Sequence, residues 1–138
     1  MAIMPWDDKL DVGVDAMNDE HRGLLDWMNK LHDRAAAGAS KSEMVMLAQQ
    51  LHNSARKHFR SEEAYMASIA FPGLRSHKNI HDTMLETLAE HVRTISEGDG
   101  KLRPDFFIFL KVWLTAHMHG IDAKYGRHAA HAAQPKAA

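Results

Sequence analysis

The chain has 138 residues, 45% of them hydrophobic and 25% charged, enough for one domain with a real core and no disulfide staples. Basic and acidic residues balance at 17 against 18, which argues against a nucleic-acid or anionic-membrane partner. Cysteine is absent, so disulfide scaffolds, thiolate metal sites, iron–sulfur clusters and cysteine nucleophiles are all excluded. No apolar run reaches the roughly 18 to 20 residues of a membrane span. The opening MAIMPWDDKLDVG lacks the basic-then-apolar pattern of a secretory leader, so a cytoplasmic single domain is expected. That leaves 11 histidines in need of a reason.

Residues 1–17, with Pro5 and Trp6, read as an irregular arm. A first helix is predicted from about Asn18 to Ala37, with Asn18 as N-cap, Gly38 as terminator, and Leu24, Leu25, Met28 and Leu31 on one face. A second is predicted from about Lys41 to Ile69: Ser40 and Glu43 fit a capping box, Leu47, Leu51, Ala55, Tyr65, Met66 and Ile69 form the stripe, and Phe71-Pro72-Gly73 stops it. The third spans Leu74 to Glu97, with Met84, Leu85, Leu88, Val92 and Ile95 inward, before the Gly98-Asp99-Gly100 loop. A fourth begins near Pro104, favoured in a first turn, and runs to Tyr125 before Gly126, with Phe107, Leu110, Trp113, Leu114 and Ile121 as core positions. Strand patterning is missing. Short connections make this an all-α, antiparallel up-down-up-down four-helix bundle over residues 1–126, with a flexible Ala- and His-containing tail at 127–138.

The buried stripes carry polar residues. His21 and Met28 share a face of the first helix, and His58 and Glu62 continue the Leu51–Ala55 stripe of the second. His77 and His81 lead into Met84 and Leu88, while His117 extends the Trp113 stripe, with Asp122 five residues on. In an antiparallel bundle the start of the first and third helices and the end of the second and fourth share one end. Five imidazoles and two carboxylates therefore converge at one level. A tetrahedral zinc would leave ligands unused, and calcium or magnesium would prefer oxygen throughout. Two six-coordinate transition ions fit, with bridging carboxylates and a bridging oxide leaving one position open; imidazole with carboxylate suits iron or manganese. A spacing of five sets Asp122 about 140° around from His117, so a π-type bulge or kink is predicted near Gly120.

The segments DEHRGLLDWMNKLH, HFRSEEAYM, HKNIH and WLTAHMHGIDAKY resemble the hemerythrin family, specifically its single-domain bacterial members. The resemblance implies a non-haem di-iron centre that binds dioxygen reversibly. His77, His81 and His117 would hold one iron; His21 and His58 would hold the other, whose open position takes dioxygen. Glu62, Asp122 and an oxo or hydroxo group would bridge, and Trp113 and Leu114 would wall the ligand pocket. His119 stands where the family more often carries an apolar residue. Of the other histidines, His32 faces inward but too far along the helix to join, and His52, His91, His119, His128 and His131 read as surface or tail residues. Glu63 reads as a solvent-facing charge, and Tyr65 and Tyr125 as candidate hydrogen-bond partners of the site.

The resulting expectation is an oxygen-storage, delivery or buffering protein, not an enzyme, acting as a monomer or weak oligomer with dioxygen as its partner. The rivals are an oxygen or redox sensor read by a separate partner, a di-iron oxidase, and an iron or nitric oxide handling protein. Ferritin-like oxidase sites carry four carboxylates and two Glu-x-x-His pairs, and no such pair supplies ligands here.

Overall fold

The structure, a computed structural model, describes residues 4–132, the Leu114 and Ala132 side chains excepted. A short 3-10 turn (Asp8–Leu10) precedes α1 (Asp15–Ala36), α2 (Lys41–Ser68) and α3 (Leu74–Glu97). The fourth rod is continuous but composite: α4 (Pro104–Val112), a π-helical segment (Trp113–Ile121) and α5 (Asp122–Ala132). Contacts between neighbouring ends fix the antiparallel order. Arg34 at the end of α1 grips Glu43 at the start of α2 through two bonds of 2.9 and 3.0 Å, and Glu20 near the start of α1 meets Ser61 toward the end of α2. His81 early in α3 likewise meets Glu63 late in α2, and His91 late in α3 packs on Phe106 early in α4. No helix among the described residues is long and apolar enough to cross a membrane.

Several boundaries depart from expectation. The N-cap of α1 is Val14, four residues before Asn18, because the Asn18 side chain is used elsewhere. It is buried, accepting from the Val12 N–H at 3.0 Å and donating to Asp11 at 2.8 Å, and so ties the arm down. Ser40 does cap α2, accepting from the Glu43 N–H, but the Glu43 carboxylate turns to Arg34 and only half of the capping box forms. In α4 the buried aromatic is Phe106; Phe107 is half-buried.

The largest difference lies at Gly126. The helix does not stop there but runs on to Ala132, so the tail expected from residue 127 is helical for its first turns; residues 133–138 lie outside the described residues. Gly126 is buried, and a Cβ on it would strike the main-chain carbonyl of Val12. Glycine is required by this close approach of the arm, not by a chain reversal. The arm runs alongside the rods. Met4 exchanges two bonds with the Asn29 side chain, Arg22 lies 4.1 Å over the Trp6 ring, and the Lys9 carbonyl accepts from His119 Nδ1 at 2.6 Å.

The core is divided. A large cluster, including Met28, Leu31, Leu51 and Leu110, fills one length of the bundle, and a small one of Val12, Met17, Met66 and Tyr125 closes the other end. Along α1, α2 and the fourth rod, the polar residues fall between these two apolar layers. Two glycine substitutions test the packing. Gly126→Ala should lower unfolding free energy by about 2–4 kcal/mol by forcing the arm off the bundle. Gly23→Ala, with open space where its methyl would stand, should raise it by about 0.5–1 kcal/mol. Denaturant melts of both variants give the check.

Candidate metal centre

All seven residues singled out on the buried stripes come together. His21, Glu62, His81 and Asp122 are fully inaccessible, and His58, His77 and His117 nearly so. They form two overlapping groups of ligand atoms, each within 4.8 Å: His77, His81 and His117 with Glu62 and Asp122, and His21 and His58 with the same two carboxylates. The carboxylate oxygens divide between the groups. Glu62 Oε1 faces His77 and His81 at 3.2 and 2.9 Å, and Glu62 Oε2 faces His21 and His58 at 3.3 and 3.2 Å. Asp122 Oδ1 lies 2.9 Å from His77 and 3.0 Å from His117, and its Oδ2 is 3.1 Å from His21. Each acid thus offers one oxygen to either side, the arrangement of a two-atom bridge.

The helix geometry delivers this. In α2, His58 and Glu62 are four apart on one face, as are His77 and His81 in α3. The fourth rod needs more. His117 and Asp122 are aligned by π-helical winding, and the Asp122 N–H bonds to the His117 carbonyl, five residues back. The widening expected near Gly120 is present and extends over nine residues, Trp113–Ile121.

The donor set fits a pair of iron ions. Glu62 Oε1, both Asp122 oxygens and Nε2 of His77, His81 and His117 are buried and make no hydrogen bond, although partners of opposite character lie 2.9–3.2 Å away. An orphaned buried polar atom costs about 1–3 kcal/mol, and a cation held in common satisfies several at once. Imidazole nitrogen with carboxylate oxygen, and no sulfur, suits iron.

Outer contacts orient the ligands. His58 Nδ1 bonds to Glu20 at 2.8 Å, and Ser61 Oγ donates to the second Glu20 oxygen at 2.8 Å. His81 Nδ1 bonds to Glu63 at 2.9 Å. The reading of Glu63 as a solvent-facing charge is therefore corrected: one helical step past Glu62, it turns toward α3 and meets the histidine there. Tyr125 donates to Glu62 Oε2 at 2.8 Å, whereas Tyr65 packs edge-on against Tyr125. Phe59 stacks on His81 with ring centroids 3.9 Å apart, and Trp113 packs against Phe59. Buried Trp113 thus stands beside the cluster; the Leu114 side chain is outside the described residues. Sequence reasoning missed Phe59, Ser61 and the bridging role of Glu20, each of which acts across to another helix. An acidic or aromatic residue adjacent to a ligand on the same helix is the signal that would have found Glu20, Phe59 and Glu63.

Burial opposes charge throughout the cluster, and the contacts outweigh it. Close contact with the Glu20 and Glu62 carboxylates raises His58 to about 9, and close contact with Asp122 and Glu62 raises His77 to about 9. The imidazoles in turn hold the Glu62 and Asp122 carboxyls below their ordinary range. Burial and the two carboxylate charges push the Tyr125 phenol up, keeping it a donor.

The remaining histidines stand apart. His32 packs on Phe107, and His91 lies between Phe106 and Phe109. His128, expected in the tail, belongs to α5 and bonds to the Ile69 carbonyl at 2.9 Å.

A model of the hemerythrin HHE cation-binding domain matches residues 12–129, and the chain belongs to the hemerythrin family. It is 31% identical to bacteriohemerythrin of Methylococcus capsulatus over 127 residues, 91% of this chain and 96% of that protein. It is 32% identical to myohemerythrin of Theromyzon tessulatum, over 87% of this chain and 88% of that one. The crystal structure of wild-type hemerythrin superposes with a TM-score of 0.82 at 30% identity, covering 91% of this chain and 97% of that one.

Two outcomes are expected from the outer contacts. Glu20→Ala and Glu63→Ala should each weaken metal affinity by about 10- to 100-fold, measured by competition with a chelator. Ferrous loading should release protons, and more of them at pH 7 than at pH 9, because His58 and His77 still carry a proton below about 9. An indicator dye in weak buffer records the difference.

Proposed function

We propose that this chain binds dioxygen reversibly at a non-haem di-iron centre, for storage, delivery or buffering, and is a carrier, not an enzyme. The observation that carries this reading is the asymmetry of the buried ligands. Three histidines fall on one side of the shared carboxylates and two on the other. His77, His81 and His117 are assigned to one iron, His21 and His58 to the second, and Glu62 and Asp122 to both. The iron held by His21, His58 and the shared acids would be the less fully ligated of the two, and would be the one to take dioxygen.

When bound, the ferrous pair supplies the two electrons that dioxygen takes up on binding and gives back on release. The chain's own residues keep that exchange reversible. Five neutral donors against two anionic bridges favour high-valent iron less than a carboxylate-rich set would, which supports binding over oxidation of a substrate. Phe59 and Trp113 on one side, and Met66 and Tyr125 on the other, keep bulk water from the buried cluster. Trp113 is assigned to the ligand pocket on its burial and its packing against Phe59. Glu20 and Glu63 fix the rings of His58 and His81, so the ligands need not reorient as dioxygen comes and goes. The similarity to bacteriohemerythrin and myohemerythrin supports the same reading. Cytoplasmic residence belongs to this proposal as well.

The test is spectroscopic. Protein loaded anaerobically with ferrous iron should develop a visible charge-transfer band on adding oxygen and lose it on removing oxygen. A band that never reverses, with hydrogen peroxide released or a co-substrate consumed, would instead indicate an oxidase. His58→Ala should retain about half the iron and form no oxygen-dependent band; full loading with an unchanged band would refute the two-histidine assignment.

A further inference from the structure

Among the described residues, the well-exposed large apolar side chains are Met46, Ile108 and Val112. Two of the three stand one turn apart on α4. That helix is apolar on nearly every side: Phe106 and Leu110 are buried inward, Phe107 and Phe109 flank them, and Ile108 and Val112 point outward. A helix on the surface of a bundle needs one apolar stripe to face the core, and a second, outward stripe signals a second contact. The outward residues Asp105, Ile108, Lys111 and Val112 are all exposed and follow helical spacing.

The shape of this face is that of a ridge between grooves. On one side a cavity of about 380 Å³ is lined by His32, Leu102, Pro104, Phe107, Ile108 and Lys111. On the other an almost wholly apolar cavity of about 190 Å³ is lined by Phe109, Val112 and Ala116 together with Trp113 and the metal-centre histidine His117. Ridges packed into grooves are how helices associate.

We propose that this face is the interface of an isologous homodimer, in which α4 packs antiparallel against α4 of a second copy with Ile108 on the twofold axis. The charges favour a second copy over an unrelated partner. Asp105 and Lys111 lie three residues on either side of Ile108. An antiparallel pairing centred there sets every Lys111 opposite the Asp105 of the other copy, twice by symmetry. The same register brings each Val112 over the other copy's Pro104, at the mouth of the larger groove. Centring on Val112 instead leaves Asp105 and Lys111 without each other. The patch is small, so the dimer is weak and reversible, in the micromolar range.

Sedimentation of the full-length, iron-loaded chain from about 1 to about 300 µM tests this. The molar mass should rise with concentration from 15.6 kDa toward about twice that value. Ile108→Glu should stay monomeric over the whole range, with iron content and helicity unchanged. Lys111→Asp should weaken the dimer at least about tenfold, and adding Asp105→Lys to it should restore wild-type affinity within about threefold. A wild-type chain that is monomeric throughout overturns the proposal, as does a dimer that survives Ile108→Glu. Failure of the double charge reversal to rescue association overturns the Ile108-centred register.

Discussion

Two carboxylates buried completely on the axis of a helical bundle are the constraint around which this protein is organised. Glu62 and Asp122 are inaccessible to water, and an isolated buried carboxylate is among the most unfavourable groups a fold can contain. Everything near them answers that cost. Five imidazoles surround the pair, Tyr125 donates to Glu62, and the oxygens left without a hydrogen bond share their open side with imidazole nitrogens. The outer acids Glu20 and Glu63 extend the alternation of charge and donor by one more layer. The same carboxylates hold protons on the imidazoles of His58 and His77 well above their usual range.

The fourth rod shows how the backbone yields to that requirement. A regular α-helix cannot present His117 and Asp122 to one point, so the segment Trp113–Ile121 unwinds to five-residue hydrogen bonding. The widened turns are then supported from outside. His119 anchors to the arm at Lys9, and Val12 lies so close to Gly126 that no side chain fits between them. An irregular N-terminal segment is therefore part of the metal centre's scaffold, although it contributes no ligand.

Much of this was legible before any coordinates. Hydrophobic periodicity gave four helices, and antiparallel topology then placed His21, His58, Glu62, His77, His81, His117 and Asp122 at one end. The five-residue gap between His117 and Asp122 contradicted ideal geometry, and that contradiction itself pointed to the widening. What was not legible depends on contacts between elements that share no periodicity. Glu63 was misread because on its own helix it meets only the exposed Arg60, while the partner that matters, His81, lies on α3. Gly126 was misread as a terminator because a glycine required by close approach and one required by a turn look alike in sequence. Asn18 was misread as a cap because its side chain serves the arm that precedes it.

The asymmetric division of histidines joins fold to function. Three on one side and two on the other is a property of which helices contribute one ligand and which two, and on the function proposed above it leaves one coordination position for dioxygen. Both carboxylates must hold two ions for that asymmetry to matter. The most direct measurement is the iron content of protein loaded anaerobically with ferrous iron and freed of excess by desalting. Two irons per chain, with both lost together from Asp122→Asn, is the predicted result. One iron per chain at saturation, or an Asp122→Asn variant that keeps both, would contradict a centre built on shared, buried bridges.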